Sequence, residues 1–580
     1  MPLVANIETK SLITFQLLVG DGETDVTSNF GIKSIVVYRE CNRIPTANIL
    51  IIDGNAATQE FPASNEETFK PGEKIHIKSG YQFEDETIFK GIVTKHTIKS
   101  NKNTSYLLIE CKDEAFKLTL AKKNKIYYES TESEIFEKII KDNSLQSEVE
   151  PTTYKHNELV QYYATDWDFI QTRTQINNKI CLVEDGTIVI KEPDLAQTSE
   201  HKATYGDNVF AFEAEIDARN QYESFEASIW NFSDQEIVSK TAENADLNTT
   251  GNLTSSDLAT AAGSNNIILK HTGKIPDEIL QTWVDGKSML QQLSKICGTV
   301  QIQGVHDILP GKLLTLEGMS NRFNGDVFVS AVNHEIEDGN WLTTIKFGLD
   351  NEWFSETYKV SQIPAAGMLP AINGLHIGVV SALEGDPEEE HRIQVKLPII
   401  SEEEEGVWAR VLALHAGENY GTHFLPEIGN EVLVGFLNDD PNQAIVLGSL
   451  FSNTNTSPIE YSDDNFEKVI MTKSEIKITL NDELKSITLD TPDGKMISID
   501  DDSAEVTIKD ENDNIILMNS DGISITSSKD IILSATGDVK IDGVNVEITA
   551  SAGFKAEASA TAEVSGSSST TIKGGVVQIN

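Results

Sequence analysis

The sequence predicts a mainly β, multidomain chain whose residues 475–580 form an intertwined trimeric β-prism or β-helix needle. Three observations carry this. First, short apolar-alternating segments follow one another every eight to ten residues or so from 476 to 579, at 476–480, 486–489, 497–499, 506–508, 515–517 and onward. Second, turn chemistry separates them: Pro492-Asp493-Gly494, Asp521-Gly522, Thr536-Gly537-Asp538, Asp542-Gly543. Alternation at period two marks strands, and Gly/Asp/Asn clusters mark tight turns. Third, a fixed short period marks stacked repeats rather than a compact globule. A strand this short cannot bury its apolar face alone, so that face must meet other strands or other chains.

The same period-two signal organises the rest of the chain. Residues 1–120 alternate at 34–39, 46–52, 74–79, 87–98 and 105–111, with turns at Pro71-Gly72 and Ser79-Gly80, and read as a first β-barrel. Residues 121–233 read as an α/β domain. There Thr131 and Glu134 form a capping box ahead of Ile135, Phe136, Ile139 and Ile140, and Thr165-Asp166-Trp167-Asp168 opens a second helix. Residues 234–266, rich in Thr, Ser, Ala, Asn and Gly, are expected to be a flexible polar segment. Residues 267–361 combine a helix at 277–296, stopped by Gly298, with strands at 313–316, 327–332 and 341–347 that make a second barrel, separated from the first by the helices. After a linker at 362–374, five strand-like runs in 375–451 suit an OB-type barrel. A polar neck, 452–474, leads to the needle.

Composition narrows the function class. The 580 residues carry a formal net charge of −45, which opposes nucleic-acid binding and adsorption to anionic membrane. The first ten residues show no apolar stretch behind a basic start, so no export signal is expected. No uninterrupted apolar window is long enough to span a bilayer. Cys41, Cys111, Cys181 and Cys297 are widely spaced and expected to be reduced and buried.

Candidate chemistry is sparse. His334-Glu335 begins like a zinc-protease motif, but position 338 is Asp and the segment alternates as a strand. The acidic run 402–405 reads as a solvated loop, and Asp500-Asp501-Asp502 and 510–514 as turns rather than a calcium site. Trp167 and Phe169 are expected in the core of the helical domain, and Trp408 in the OB core. No nucleophile-base set, phosphate loop or dinucleotide fingerprint is present, so no catalytic, cofactor-binding or metal residue is named and no cofactor is expected. The candidates for needle core are Ile487, Val506, Ile515, Ile523, Ile531, Val539 and Val546, where three chains would interlock. Toward the end the inward residues shrink, at Ala556, Ala558, Ala560, Ala562 and Val564, which implies a thinner shaft.

Residues 421–436, Gly-Thr-His-Phe-Leu-Pro-Glu-Ile-Gly-Asn-Glu-Val-Leu-Val-Gly-Phe, followed by Asn438-Asp439-Asp440-Pro441 and Val446-Leu447-Gly448, resemble the signature of VgrG proteins and related phage-tail spikes. Residues 162–170 resemble the family's helix-opening motif, and Pro310-Gly311, 322–325 and 332–334 its second barrel. Residues 570–580 are similar to the blunt ends of spike needles. The resemblance implies phage-hub-like barrels with inserted helices, an OB collar and a needle. It also implies a homotrimer that meets an inner tube hexamer and baseplate proteins, with a PAAR-repeat tip protein and effectors as further partners. Val577, Ile579 and Asn580 would then be tip-binding. Synthesis in the cytoplasm, assembly into a phage-tail-like particle, outward translocation on firing and transient contact with a target membrane are further expectations of the resemblance. No lysozyme domain fits between OB and needle, and the chain is expected to carry no fused cargo. The competing readings are a glycan-degrading tailspike, which needs a carboxylate or lyase constellation, and a passive adhesin, which needs an export or anchoring signal.

Overall fold

In the computed structural model, residues 3–4, 12–242, 250–264, 266–401 and 403–579 are described. Two compact units divide the chain, Met1–Leu369 and Pro370–Asn580.

The first unit is built on one fourteen-stranded sheet. Its N-terminal lobe contains Ile13–Val19, Gly31–Glu40, Thr46–Ile52, Lys74–Tyr81, Glu84–Ser100 and Ser105–Lys112. Antiparallel register stacks inward side chains into cross-strand lines, because paired residues point to the same face. Ile35 faces Ile49, which faces Ile109; Leu17 faces Ile77, which faces Phe89. All six are fully buried. The second lobe contains Val209–Ile216, Ile296–Gln303, Leu313–Glu317, Gly325–Glu337 and Asn340–Phe347, with Val332, Ile345 and Val300 aligned in its own core.

The two lobes are not separate barrels. Gly325–Glu337 has thirteen residues and pairs with Gly31–Glu40 from Ala331↔Glu40 to Glu337↔Ser34. Its far end delivers Ile336, and the next strand delivers Trp341, into the N-terminal core. Periodicity reports a strand but not a partner some 300 residues away, so the expectation of two barrels split by helices gives way to one shared sheet.

Between the lobes lies the α/β insertion. The ribbon Lys122–Thr131 and Lys155–Thr165 runs each strand into a helix, Glu132–Asp142 and Asp166–Ile176, capped by Thr131 and Thr165. The expected capping box forms: the Thr131 side chain accepts from Glu134 N and the Glu134 carboxylate accepts from Thr131 N. Trp167, Phe169 and Ile170 are buried. A three-stranded sheet in the order Gln146–Val149, Thr187–Lys191, Ile180–Glu184 completes the insertion. Its Asp185-Gly186 turn is fastened to the N-terminal lobe: Asp185 accepts from Arg39 Nη2 at 2.6 Å, and Gly186 N donates to Asp113 at 2.8 Å.

Two expectations here are corrected. Inside 234–266, Glu236–Thr241 is a strand against Ser224–Asn231, and Ser255–Ala262 is a helix with its own Thr254/Asp257 capping box. Residues 243–249 and 265 lie outside the described residues. The strand forms because its Val238 packs against the core that Phe225, Ala227 and Ile229 of Ser224–Asn231 share with Leu280 and Val284. Second, the long helix is Asp277–Leu293 and ends before Gly298. Gly298 sits in a central strand, where a Cβ would lie 2.3 Å from the Glu213 carbonyl oxygen. Close strand approach, not helix termination, requires glycine there.

In the second unit, His376–Ala382, Ile393–Lys396, Val407–Val411, Ala444–Ser449 and Glu431–Phe436 close into a barrel around Val395, Val432 and Val434. Trp408 is half-buried rather than core, because its neighbour Ala409 takes the inward position. Seven sequential antiparallel strands then span 467–526: Glu467–Met471, Lys477–Asn481, Ser486–Asp490, Met496–Asp500, Glu505–Lys509, Ile515–Asn519 and Gly522–Thr526.

Candidate assembly interface

The register of this meander sorts its side chains into two unlike faces. One cross-strand line runs Leu480, Ile487, Ile499, Val506, Met518, Ile523. Beside it runs a second line, Ile478, Leu489, Ile497, Ile508, Ile516, Ile525. The opposite face carries Thr479, Thr488, Ser498, Thr507, Leu517 and Ser524 along its centre. Alternation at period two produces the contrast, and in-register turns preserve it from strand to strand.

The apolar face is uncovered in the single chain: Ile487 is 42% and Ile499 48% exposed, whereas inward residues of the first unit are near zero. Contiguous apolar surface of this extent marks an interaction face. Ile487, Val506 and Ile523 share it. Ile515 does not: it pairs with Lys509 and Thr526 on the hydroxyl face, and Ile516 holds the apolar position. In the run Ile515-Ile516-Leu517 every residue is apolar, so composition leaves the facing undecided and only register fixes it.

Ile531, Val539 and Val546 lie beyond the meander and are all more than half exposed. Among the described residues, 527–579 contain no strand. An eight-residue spacing nonetheless continues from Ile523 through Ile531 to Val539, shortens by one at Val546, and resumes at Phe554 and Ala562. Ala558 and Ala560, expected inward, fall between repeat positions. Val577 and Ile579 are exposed, and Asn580 lies outside the described residues.

The acidic turns serve the sheet. Asp500 accepts from the amides of Asp502 and Ser503, and Asp510 from those of Asn512 and Asn514. The Asn514 side chain and amide hold the Asp510 carboxyl near 2, below its usual range. Carboxylates engaged this way close turns. Among the described residues no cluster of three or more His, Cys, Asp or Glu is placed to hold a metal ion. Of the acidic run 402–405, Glu402 lies outside the described residues, while the amides of Glu403 and Glu404 donate to Ser401 Oγ.

The OB barrel carries further uncovered apolar groups around its conspicuous motif: Leu414 is 96%, Phe424 71% and Ile428 63% exposed. In the first unit, a recess of about 240 Å³ is lined by Asp21, Glu23, Lys74, His76 and Lys90. Two of its charged pairs are engaged, His76 with Glu23 and Thr87, and Lys74 with Asp21. Burial pushes the His76 imidazole below its ordinary value despite the Glu23 partner. His334 is on a strand, bonded to Thr343 at 3.0 Å, and full burial lowers its pKa to about 3. The four cysteines are free, three of them buried; burial raises Cys181 to about 12.

Comparison with known proteins adds the following. The family model described as Alg8 N-terminal domain matches residues 9–338. The model described as Type VI secretion system/phage-baseplate injector OB domain matches residues 376–451. The Type VI secretion system spike protein VgrG3 of Vibrio cholerae is 33% identical over 112 residues, covering 18% of this chain and 11% of that protein. The spike protein VgrG5 of Pseudomonas aeruginosa is 40% identical over 67 residues, covering 12% and 8%. The chain thus spans about a tenth of the length of the curated relatives it matches. A solved E. coli component of the type VI secretion system is similar at a TM-score of 0.37 and 13% identity, over 75% of this chain and 100% of that one.

Proposed function

The chain belongs to the Alg8 N-terminal domain family and is a VgrG-like spike protein, and on that premise we propose that it acts as the homotrimeric hub and membrane-piercing spike of a contractile injection system. In this reading the first unit meets the inner tube hexamer and the baseplate, and the OB barrel forms a collar. The C-terminal shaft carries a PAAR-type tip protein at Val577, Ile579 and Asn580 and leads effectors outward when the sheath contracts. The spike is made and assembled in the cytoplasm and travels outward on firing. In this reading its work is mechanical.

The observation that carries the proposal is the pair of apolar lines on one face of the meander. Three copies set face to face would cover them. Completing the burial of a half-exposed Ile or Leu contributes about 1 kcal/mol, so twelve such side chains per chain contribute tens of kcal/mol across a trimer. That gross term must exceed the ordering entropy and the mutual repulsion of chains that each carry −45.

Light scattering on the purified chain tests the stoichiometry: a mass three times that of the chain, independent of concentration, is expected. Binding of a tube subunit to the first unit and of a PAAR protein to the shaft end tests the ends of the assembly. A chain that stays monomeric at all concentrations removes the reading.

A further inference from the structure

The ribbon Lys122–Thr131 and Lys155–Thr165 in the first unit is a sheet of only two strands, and its two sides are unlike. One side is pinned to the helices. Tyr127 stacks on Phe169, and its hydroxyl donates to Gln161 Oε1 at 3.0 Å. Gln161 Nε2 donates in turn to Asp166 Oδ1 at 3.0 Å, while Lys123 and Asn143 donate to Asp166 Oδ2. Register sends the alternate residues to the other side, where Ile126 faces Val160 and Tyr128 faces Glu158. Tyr162 follows two residues after Val160. Ile126, Tyr128, Val160 and Tyr162 are between 47% and 67% exposed, whereas Tyr127 is 5% exposed. A bare two-stranded ribbon is marginal in water, so the polar knot beneath it holds these outer side chains in place before anything binds.

Charge narrows what this face receives. The two strands carry Lys122, Lys123, Lys125 and Lys155 against only Glu129 and Glu158, in a chain whose net charge is −45. Lys123 is committed to the buried Asp166. The Lys125–Asp142 and Lys155–Glu129 pairs, at 3.5 Å and 3.7 Å, join exposed groups and are readily exchanged. Lys122 lies 4.9 Å from the centre of the Tyr163 ring and has no carboxylate partner among the described residues. Tyrosine and aliphatic groups inside a charged rim are the make-up of a docking contact. A patch on the order of a few hundred Å² also falls short of an obligate interface between copies, which buries roughly 2,000 Å² or more. Resting on the reading of the chain as part of an injection particle, we propose that this face docks a different protein of that particle, one that presents apolar side chains ringed by carboxylates. Those carboxylates engage Lys122 and exchange onto Lys125 and Lys155, and the apolar side chains settle among Tyr128, Val160 and Tyr162. The charges steer the encounter, and the aromatic centre supplies the affinity.

Maleimide labelling of Val160→Cys tests this in the purified full chain and in particles assembled with it. The chain without the substitution gives the background from its own thiols, three of which are buried. Position 160 is expected to label at least tenfold more slowly in the particle than in the purified chain. Photo-crosslinking from the same position should join a different protein through a peptide that combines Asp or Glu with apolar residues. Adding Lys122→Glu/Lys125→Glu should restore fast labelling in the particle, whereas Lys122→Arg/Lys125→Arg should keep the protection. Slow labelling in the purified chain, or a crosslink to a second copy, overturns the proposal, because copies of the chain then cover the face. Equal rates in both states overturn it too, as does protection that survives the charge reversal. Light scattering on the same purified chain keeps the two readings apart: a monomer removes the trimer and leaves the labelling comparison in force, while a particle that lacks the chain removes both.

Discussion

Glu132 shows how one buried side chain can hold several elements. It is 1% exposed and accepts from Arg173 Nη2 at 2.6 Å, Arg173 Nε at 2.9 Å and Asn177 Nδ2 at 2.8 Å, with His156 Nε2 3.0 Å away. Burial alone would raise its pKa, but the His156 bond and the Arg173 charge outweigh this and hold it at about 2. A carboxyl depressed in the folded state stabilises above its unfolded pKa, and the contribution is lost as pH falls from about 4.5 toward 2. Glu132→Gln is expected to cost about 3 kcal/mol, because Arg173 is left partly buried without its counter-charge. Thermal melts should show the loss at pH 7 and a much smaller difference at pH 2. Gly298 gives a second prediction at this scale. Its Cβ would meet backbone atoms at 2.3 Å and 2.7 Å, which no rotamer change can relieve. Gly298→Ala should therefore destabilise the first unit by about 2 kcal/mol or more in urea unfolding.

The meander shows what register decides within an element. Ile487 and Ile515 are both isoleucines in five-residue strands, yet cross-strand pairing sets them on opposite faces. Ile487→Asp is expected to dissociate the assembly, because a carboxylate would be buried in the apolar face. Ile515→Asp and Thr507→Asp, on the hydroxyl face, should leave the stoichiometry unchanged. Size-exclusion chromatography with light scattering distinguishes them, and equal effects from all three would refute the face assignment. Capping chemistry, by contrast, was legible before any pairing was known. Thr131 with Glu134 predicts a helix start that the structure places there, since a capping box is satisfied within four residues.

At the scale of the molecule, the first unit is tied together by groups far apart in sequence. Trp341 is 1% exposed and packs in the N-terminal core although it belongs to the C-terminal lobe. Trp341→Ala should cost about 4 kcal/mol, and its effect should appear as faster amide exchange in Thr46–Ile52 as well as in its own hairpin. Exchange confined to Asn340–Phe347 would mean that the lobes are energetically separate.

Local rules were enough for much of this protein. The sequence determined the β-rich class, the helix caps, the five-stranded OB barrel and the repeating strands as far as Thr526, but not the absence of strand in 527–579, because alternation, capping and turn residues act over fewer than ten positions. Tertiary structure alone decided the rest. It fused the lobes through Gly325–Glu337, drew strand and helix out of the polar stretch 234–266, turned Trp408 away from the barrel core and assigned Ile515 to the hydroxyl face. Each of these depends on which distant strand supplies the next hydrogen bond, and the residues of one strand do not encode their partner.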